Sequence, residues 1–172
     1  MTVGGPHVLV AVASRHGATR EIGDAIARWL PESAAGRELG LSAVCQAIEH
    51  ASDPSSFDAV LVGSAVYAGR WLEPAREYVA ALAAALRERK VWLFSSGPIG
   101  EPPFPPDEPH DVRPLGDLVG ARGHAVFPGR LDPTVLSFGE RAMVTAMRAP
   151  LGDFRDWAAV RAWTEEVAAA LA

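Results

Sequence analysis

The sequence has a single cysteine, Cys45, among 172 residues. One cysteine cannot form a disulfide within the chain, so a reducing compartment such as the cytoplasm is the expected location. No apolar run reaches the roughly 20 residues that a membrane-spanning helix needs. Residues 1–6 lack the basic stretch that opens a secretory signal. We therefore expect a cytoplasmic protein without a transmembrane segment.

Basic charge and several familiar enzyme motifs are also scarce. Sixteen Lys and Arg residues against 21 Asp and Glu residues give a net charge of −5. Nucleic acid is therefore not an expected partner, because its binding proteins usually carry a basic patch. The sequence also lacks the P-loop motif, the glycine-rich dinucleotide fingerprint and the G-x-S-x-G elbow of hydrolases. These absences argue against the corresponding three enzyme classes.

Short apolar runs alternate with amphipathic stretches along the whole chain. The runs that predict strands are 7–13, 41–47, 59–63, 91–95 and 124–127. The stretches that predict helices are 18–31, 74–86, 114–120, 136–149 and 155–171. This alternation predicts one α/β domain over 1–172 with a parallel sheet covered on both faces. Ligands of such sheets bind beyond the carboxyl ends of the strands, so the loops after strands one, three and four are the candidates.

The loop after the first strand has the features of a phosphate site. Its candidate binding residues are Ser14, Arg15, His16, Gly17, Ala18 and Thr19. Backbone N–H groups at the start of the next helix favour an anion, Gly17 permits close approach, and Arg15 adds a charged donor. The alternative is an ordinary helix start that Ser14 or Thr19 caps.

The pattern Ser14-x-x-Gly17-x-Thr19 resembles the FMN phosphate-binding signature of flavodoxins. Its continuation through Ile22 and the run 63–69 are similar to the branch of menaquinone-dependent protoporphyrinogen oxidases and their flavodoxin-domain relatives. The resemblance implies a flavodoxin-like three-layer sandwich whose five-stranded parallel sheet has the order 2-1-3-4-5. It also implies non-covalent FMN and a helical insertion at 131–150.

The resemblance implies two further loops around the flavin ring. The loop after strand three, on one face of the ring, has the candidates Ser64, Ala65, Val66, Tyr67, Ala68, Gly69 and Trp71. The loop after strand four, on the other side, has the candidates Ser95, Ser96, Gly97 and Pro98. We expect Tyr67 to stack on the ring, whereas Trp71 either stacks or anchors the following helix to the sheet.

The implied function is an FMN oxidoreductase that passes electrons to a quinone or another redox partner, with no catalytic residue identified. Two alternatives stay open: a flavodoxin-type electron carrier without its own substrate, and a binding module that has lost the flavin. The acidic segment 101–111 disfavours an anionic porphyrin as substrate and is interpreted as a solvated loop rather than a metal site. The insertion at 131–150 either packs on the domain or contacts a membrane surface or partner protein. Cys45 is expected to be inert.

Overall fold

A central parallel sheet organises the chain in this computed structural model, which describes residues 4–97, 99 and 108–172. The parallel strands are β1 (His7–Ala13), β2 (Ser42–Ala47), β3 (Ala59–Tyr67), β5 (Lys90–Ser96) and β6 (His124–Phe127). Their order is β2-β1-β3-β5-β6, and the two-residue strand β4 (Arg70–Trp71) pairs antiparallel with β3. Counted without β4, this is the predicted order 2-1-3-4-5, so the flavodoxin-like fold is confirmed.

Helices cover both faces of the sheet. They are α1 (Ala18–Glu32), α2 (Ala34–Leu39), α3 (Glu73–Ala81), α4 (Ala83–Arg87), α5 (Val112–Val119), α6 (Phe138–Met147) and α7 (Trp157–Ala170). On one face, α1 and α7 bury Ile26 and Val160 against alternate residues of β1. On the other face, α3, α4 and α5 bury Val79, Leu86 and Val119 against the intervening residues. A strand buried on both faces explains the unbroken apolar run of β1.

Several boundaries differ from the prediction for physical reasons. The third strand was predicted to end at Gly63 but continues to Tyr67, because its last residues pair with β5 and with β4. Helix α1 runs one residue past Pro31, since the backbone angle of proline suits a helix and only one N–H donor is lost. Helix α6 begins at Phe138 rather than Leu136, because Ser137 caps it.

A second small sheet closes the base of the insertion. Strand β7 (Arg130–Leu131) pairs antiparallel with β8 (Gly152–Asp153), and the Phe154 N–H donates to the Gly129 carbonyl at 3.0 Å. The chain therefore leaves the main fold after β6 and returns to nearly the same point. The insertion between these strands contains α6.

Gly63 lies where the sheet packs tightly, so we predict that Gly63→Ala destabilises the fold. An added Cβ would lie 2.1 Å from the Phe94 Cζ atom, inside the packed core. Overpacking of this kind costs about 1–3 kcal/mol of unfolding free energy, measurable by urea denaturation. Gly139→Ala is the control, because its Cβ meets nothing within 4 Å among the described residues. Equal stabilities for both variants would contradict the packing argument.

Candidate functional site

The three predicted loops meet at one cavity beyond the carboxyl ends of β1, β3 and β5. The register pairs Ala13 with Ser64 and Ala65 with Ser96, so these strands end side by side. The cavity has a volume of about 610 Å³. From the predicted loops, its lining includes Ser14, Arg15, His16, Ala18, Thr19, Ala65, Val66, Tyr67, Ala68, Ser96 and Gly97. Its size is within the range of small-molecule sites.

The start of α1 forms the polar end of the cavity. Gly17 is its N-cap residue, with a left-handed φ of 90° that glycine adopts without strain. Among the described residues no side chain caps this helix, so neither Thr19 nor Ser14 acts as the cap. Ser14 Oγ instead accepts the Gly17 N–H at 3.0 Å, which shapes the turn. The N–H groups of the first helical turn therefore present positive potential beside the cavity.

A carboxylate from the insertion approaches this polar end. Glu140 Oε2 lies 2.9 Å from His16 Nε2 and 3.4 Å from Arg15 Nε. The hydrogen bond with His16, supported by the Ser137 backbone N–H, lowers the pKa of Glu140 to about 2. Glu140 is therefore ionised at neutral pH and pairs with both basic side chains of the loop.

Tyr67 and Gly97 shape the apolar part of the cavity near the sheet. The Arg15 guanidinium lies 5.1 Å from the centre of the Tyr67 ring. Burial raises the pKa of the Tyr67 phenol, which keeps it neutral. A Cβ on Gly97 would lie 2.6 Å from the Val66 Cβ, so the end of β5 passes directly against the end of β3. Only a residue without a side chain fits there.

Five of the predicted site residues that the structure describes do not line the cavity: Gly17, Ser64, Gly69, Trp71 and Ser95. Trp71 is buried, and its Nε1 donates to Ser95 Oγ at 2.8 Å, which supports the interpretation that it anchors the chain to the sheet. Ser64 Oγ accepts the Leu72 N–H at 3.0 Å, also a structural contact. Gly17 and Gly69 shape turns through positive φ angles. Pro98 and residues 101–107 of the predicted acidic loop lie outside the described residues.

The insertion forms a whole wall of the cavity that the sequence argument did not assign to the site. Residues from Gly129 to Ala149 contribute Leu131, Val135, Leu136, Met143, Val144 and Met147 to the lining. The sequence feature that could have indicated this wall is the apolar side of the predicted helix, which the sequence analysis interpreted only as a surface for packing or docking. Sequence periodicity shows that a helix has an apolar side but not which cavity that side faces.

An ion-pair network holds the base of the insertion against α1. Arg155 donates to Glu21 at 2.6 Å and to Asp153 at 2.8 Å, and its side chain is only 7% exposed. Arg130 pairs with the same Glu21 at 3.2 Å. The strand pairing and these charges therefore fix where the insertion begins and ends.

Two other chemical groups lie apart from this site. Burial raises the pKa of the Cys45 thiol to about 12, which keeps it protonated and agrees with the expectation of an inert cysteine. Across residues 4–97, 99 and 108–172, no cluster of three metal-ligating side chains occurs. No helix in the same part of the chain is long and apolar enough to cross a membrane.

The sequence matches a family model, and the fold is similar to solved structures. A family model described as a flavodoxin domain matches residues 9–157. A comparison with curated proteins found no match. Among solved structures, an archaeal flavodoxin is 11% identical, with a TM-score of 0.61 and 96% and 98% of the two chains covered. The flavodoxin of Streptococcus pneumoniae TIGR4 is 17% identical, with a TM-score of 0.59 and coverage of 96% and 97%.

A third solved structure contains a bound ligand. It is a point mutant of Fusobacterium nucleatum flavodoxin bound to flavin mononucleotide, 16% identical, with a TM-score of 0.50 and coverage of 72% and 70%. At such identities the structural similarity concerns the fold alone.

Ser95 joins Trp71 to the sheet, so we predict that Ser95→Ala lowers stability. The Trp71 indole N–H would lose its acceptor inside the core, and His124 Nε2, 2.7 Å from Ser95 Oγ, would lose the same hydroxyl. An unsatisfied buried polar group costs about 1–3 kcal/mol of unfolding free energy. Ser96→Ala is the matched control, since its hydroxyl has no hydrogen bond among the residues described. Urea denaturation of both variants provides the measurement. A loss no greater for Ser95→Ala than for Ser96→Ala would contradict the anchoring role.

Proposed function

The chain belongs to the flavodoxin-domain family, and from this membership we propose that it binds FMN non-covalently in the cavity and serves in electron transfer. The observation that carries the proposal is that one cavity has both a polar, positively charged end and an apolar wall. One end has an anion-binding helix start with basic side chains, and the rest is largely apolar. A phosphorylated molecule with a large aromatic ring has the same two parts.

The residues present fit each part of that ligand. The first-turn amides of α1, the Ser14 and Thr19 hydroxyls and the cationic Arg15 would hold the phosphate. Tyr67 would contact the ring face, and the tight passage of Gly97 beside Val66 leaves backbone groups near the ring edge. When bound, FMN supplies the redox chemistry. The chain positions it, and the apolar wall of the insertion excludes water.

Two finer functions are supported by different observations. A quinone-linked dehydrogenase resembling protoporphyrinogen oxidase is supported by the motif from Gly17 to Ile22 and by the apolar insertion over the site. A carrier without its own substrate is supported by the mildly acidic net charge of −5. We favour the dehydrogenase, acting in the cytoplasm, with exposed Phe138 and Leu151 available to a membrane or partner surface. Rapid reoxidation of the dithionite-reduced flavin by a quinone, followed by flavin absorbance, would favour the dehydrogenase, and no reoxidation by quinone would favour the carrier.

Variants of the phosphate loop test the FMN proposal. Thr19→Ala removes a hydroxyl donor, and Gly17→Asp introduces both a side chain at positive φ and a repelling carboxylate. Each hydrogen bond to a charged group contributes about 1.5–3 kcal/mol, so we expect FMN binding to weaken roughly tenfold to a hundredfold. Riboflavin, which has no phosphate, should bind Thr19→Ala as it binds the unaltered chain.

The measurement is fluorescence titration of the flavin-free protein. Thr145→Ala is the control for losing a threonine hydroxyl, since this residue bonds the Arg141 carbonyl and does not line the cavity. Unchanged FMN affinity in both loop variants would refute the assignment of the phosphate site.

A variant of Tyr67 tests the proposed contact with the flavin ring. Tyr67→Ala should weaken FMN and riboflavin binding by the same factor, because both ligands have the same ring. Aromatic contacts contribute about 0.5–1.5 kcal/mol beyond the buried area, which corresponds to a loss of roughly threefold to tenfold. The same titration measures both ligands. If neither affinity changed, Tyr67 would have no part in holding the ring.

A further inference from the structure

The carboxylate of Glu140 is paired with the basic side chains that would bind the phosphate of the proposed ligand. It lies 2.9 Å from His16 Nε2 and 3.4 Å from Arg15 Nε, and both partners belong to the loop before α1. Its own side chain is 18% exposed, and that of His16 is 22% exposed. The contact with His16 is therefore part-buried, whereas the Arg15 side chain is 51% exposed, so its pairing with Glu140 is open to solvent.

The insertion holds this carboxylate in place by several contacts. The Ser137 N–H donates to Glu140 Oε1 at 3.1 Å, and the Glu140 N–H donates to Ser137 Oγ at 3.2 Å, which completes a capping box. The pairing of β7 with β8 and the contacts of Arg155 fix the base of the same segment. The folded start of α6 thus holds the negative charge of Glu140 beside the loop.

We propose that Glu140 is a built-in competitor for the ligand phosphate and sets how strongly this protein distinguishes FMN from riboflavin. This inference rests on the proposed function. A carboxylate and a phosphate within a few ångströms repel each other, so the phosphate must replace Glu140 at Arg15 and His16. A flavin without a phosphate leaves both Glu140 contacts intact. The competition therefore reduces the affinity for FMN and leaves that for riboflavin unchanged.

Replacement of the carboxylate by an amide isolates the charge. Glu140→Gln keeps the capping box, because glutamine serves at that position of the helix as glutamate does. We expect the FMN dissociation constant to fall about tenfold and that of riboflavin to stay within about twofold, by fluorescence titration. Glu165→Gln, which removes a carboxylate on α7 that pairs with Arg161 and does not line the cavity, should leave both dissociation constants unchanged. Equal shifts for both flavins, no shift, or weaker FMN binding in Glu140→Gln would overturn the proposal.

Hydrogen exchange of the flavin-free protein separates this proposal from FMN binding itself. In Glu140→Gln, amides of α6 should exchange faster than in the unaltered chain, whereas amides of α7 provide an unchanged reference. Inorganic phosphate, compared with chloride at equal ionic strength, should speed α6 exchange in the unaltered chain but not in the variant.

A chain that bound no FMN would contradict the proposed function, and these exchange rates would still decide the role of Glu140. Identical α6 exchange in the variant and the unaltered chain, with and without phosphate, would refute the competition.

Discussion

The parallel pairing of β1 with β3 and of β3 with β5 is the constraint on which the candidate site depends. Parallel strands in register bring their carboxyl ends to the same edge, so Ala13, Ser64 and Ser95 lie side by side. The chain must turn there into α1 through Gly17 at positive φ. That turn places the amides of a helix start in the same cavity as Val66 and Tyr67 at the end of β3. One edge of the sheet thus combines an electrostatic site with a hydrophobic one.

The insertion changes the character of this edge. A sheet edge of this kind is open to water, but here α6 and its flanking segments add an apolar wall and one negative charge. The apolar wall favours a large aromatic ligand, because binding would remove apolar surface of both the wall and the ligand from water. The charge of Glu140 opposes a phosphate at the loop. The affinity for a phosphorylated aromatic ligand would then depend on the balance between the apolar wall and the Glu140 charge, both of which the insertion supplies.

Much of the fold follows from local patterns. Residues His7–Ala13 and His124–Phe127 form strands at the predicted bounds, since apolar β-branched runs bounded by turns are local signals. The loop from Ser14 to Thr19 was assigned from its position between a strand and a helix. The sequence left the role of Trp71 open, because its position near a strand end does not show whether the indole faces a cavity or the core. The site residues of the insertion, above all Glu140, were missed because their approach to His16 spans 124 positions in sequence.

The proposed FMN site is tested most directly by titration of the flavin-free protein with FMN and riboflavin, together with the visible spectrum of the freshly purified protein. We expect flavin absorption bands and much tighter binding of FMN than of riboflavin, because only FMN has the phosphate that the α1 helix start would bind. A colourless protein that binds neither flavin would contradict the proposed cofactor and leave a flavodoxin-like binding module. Equal affinity for both flavins would contradict the phosphate site.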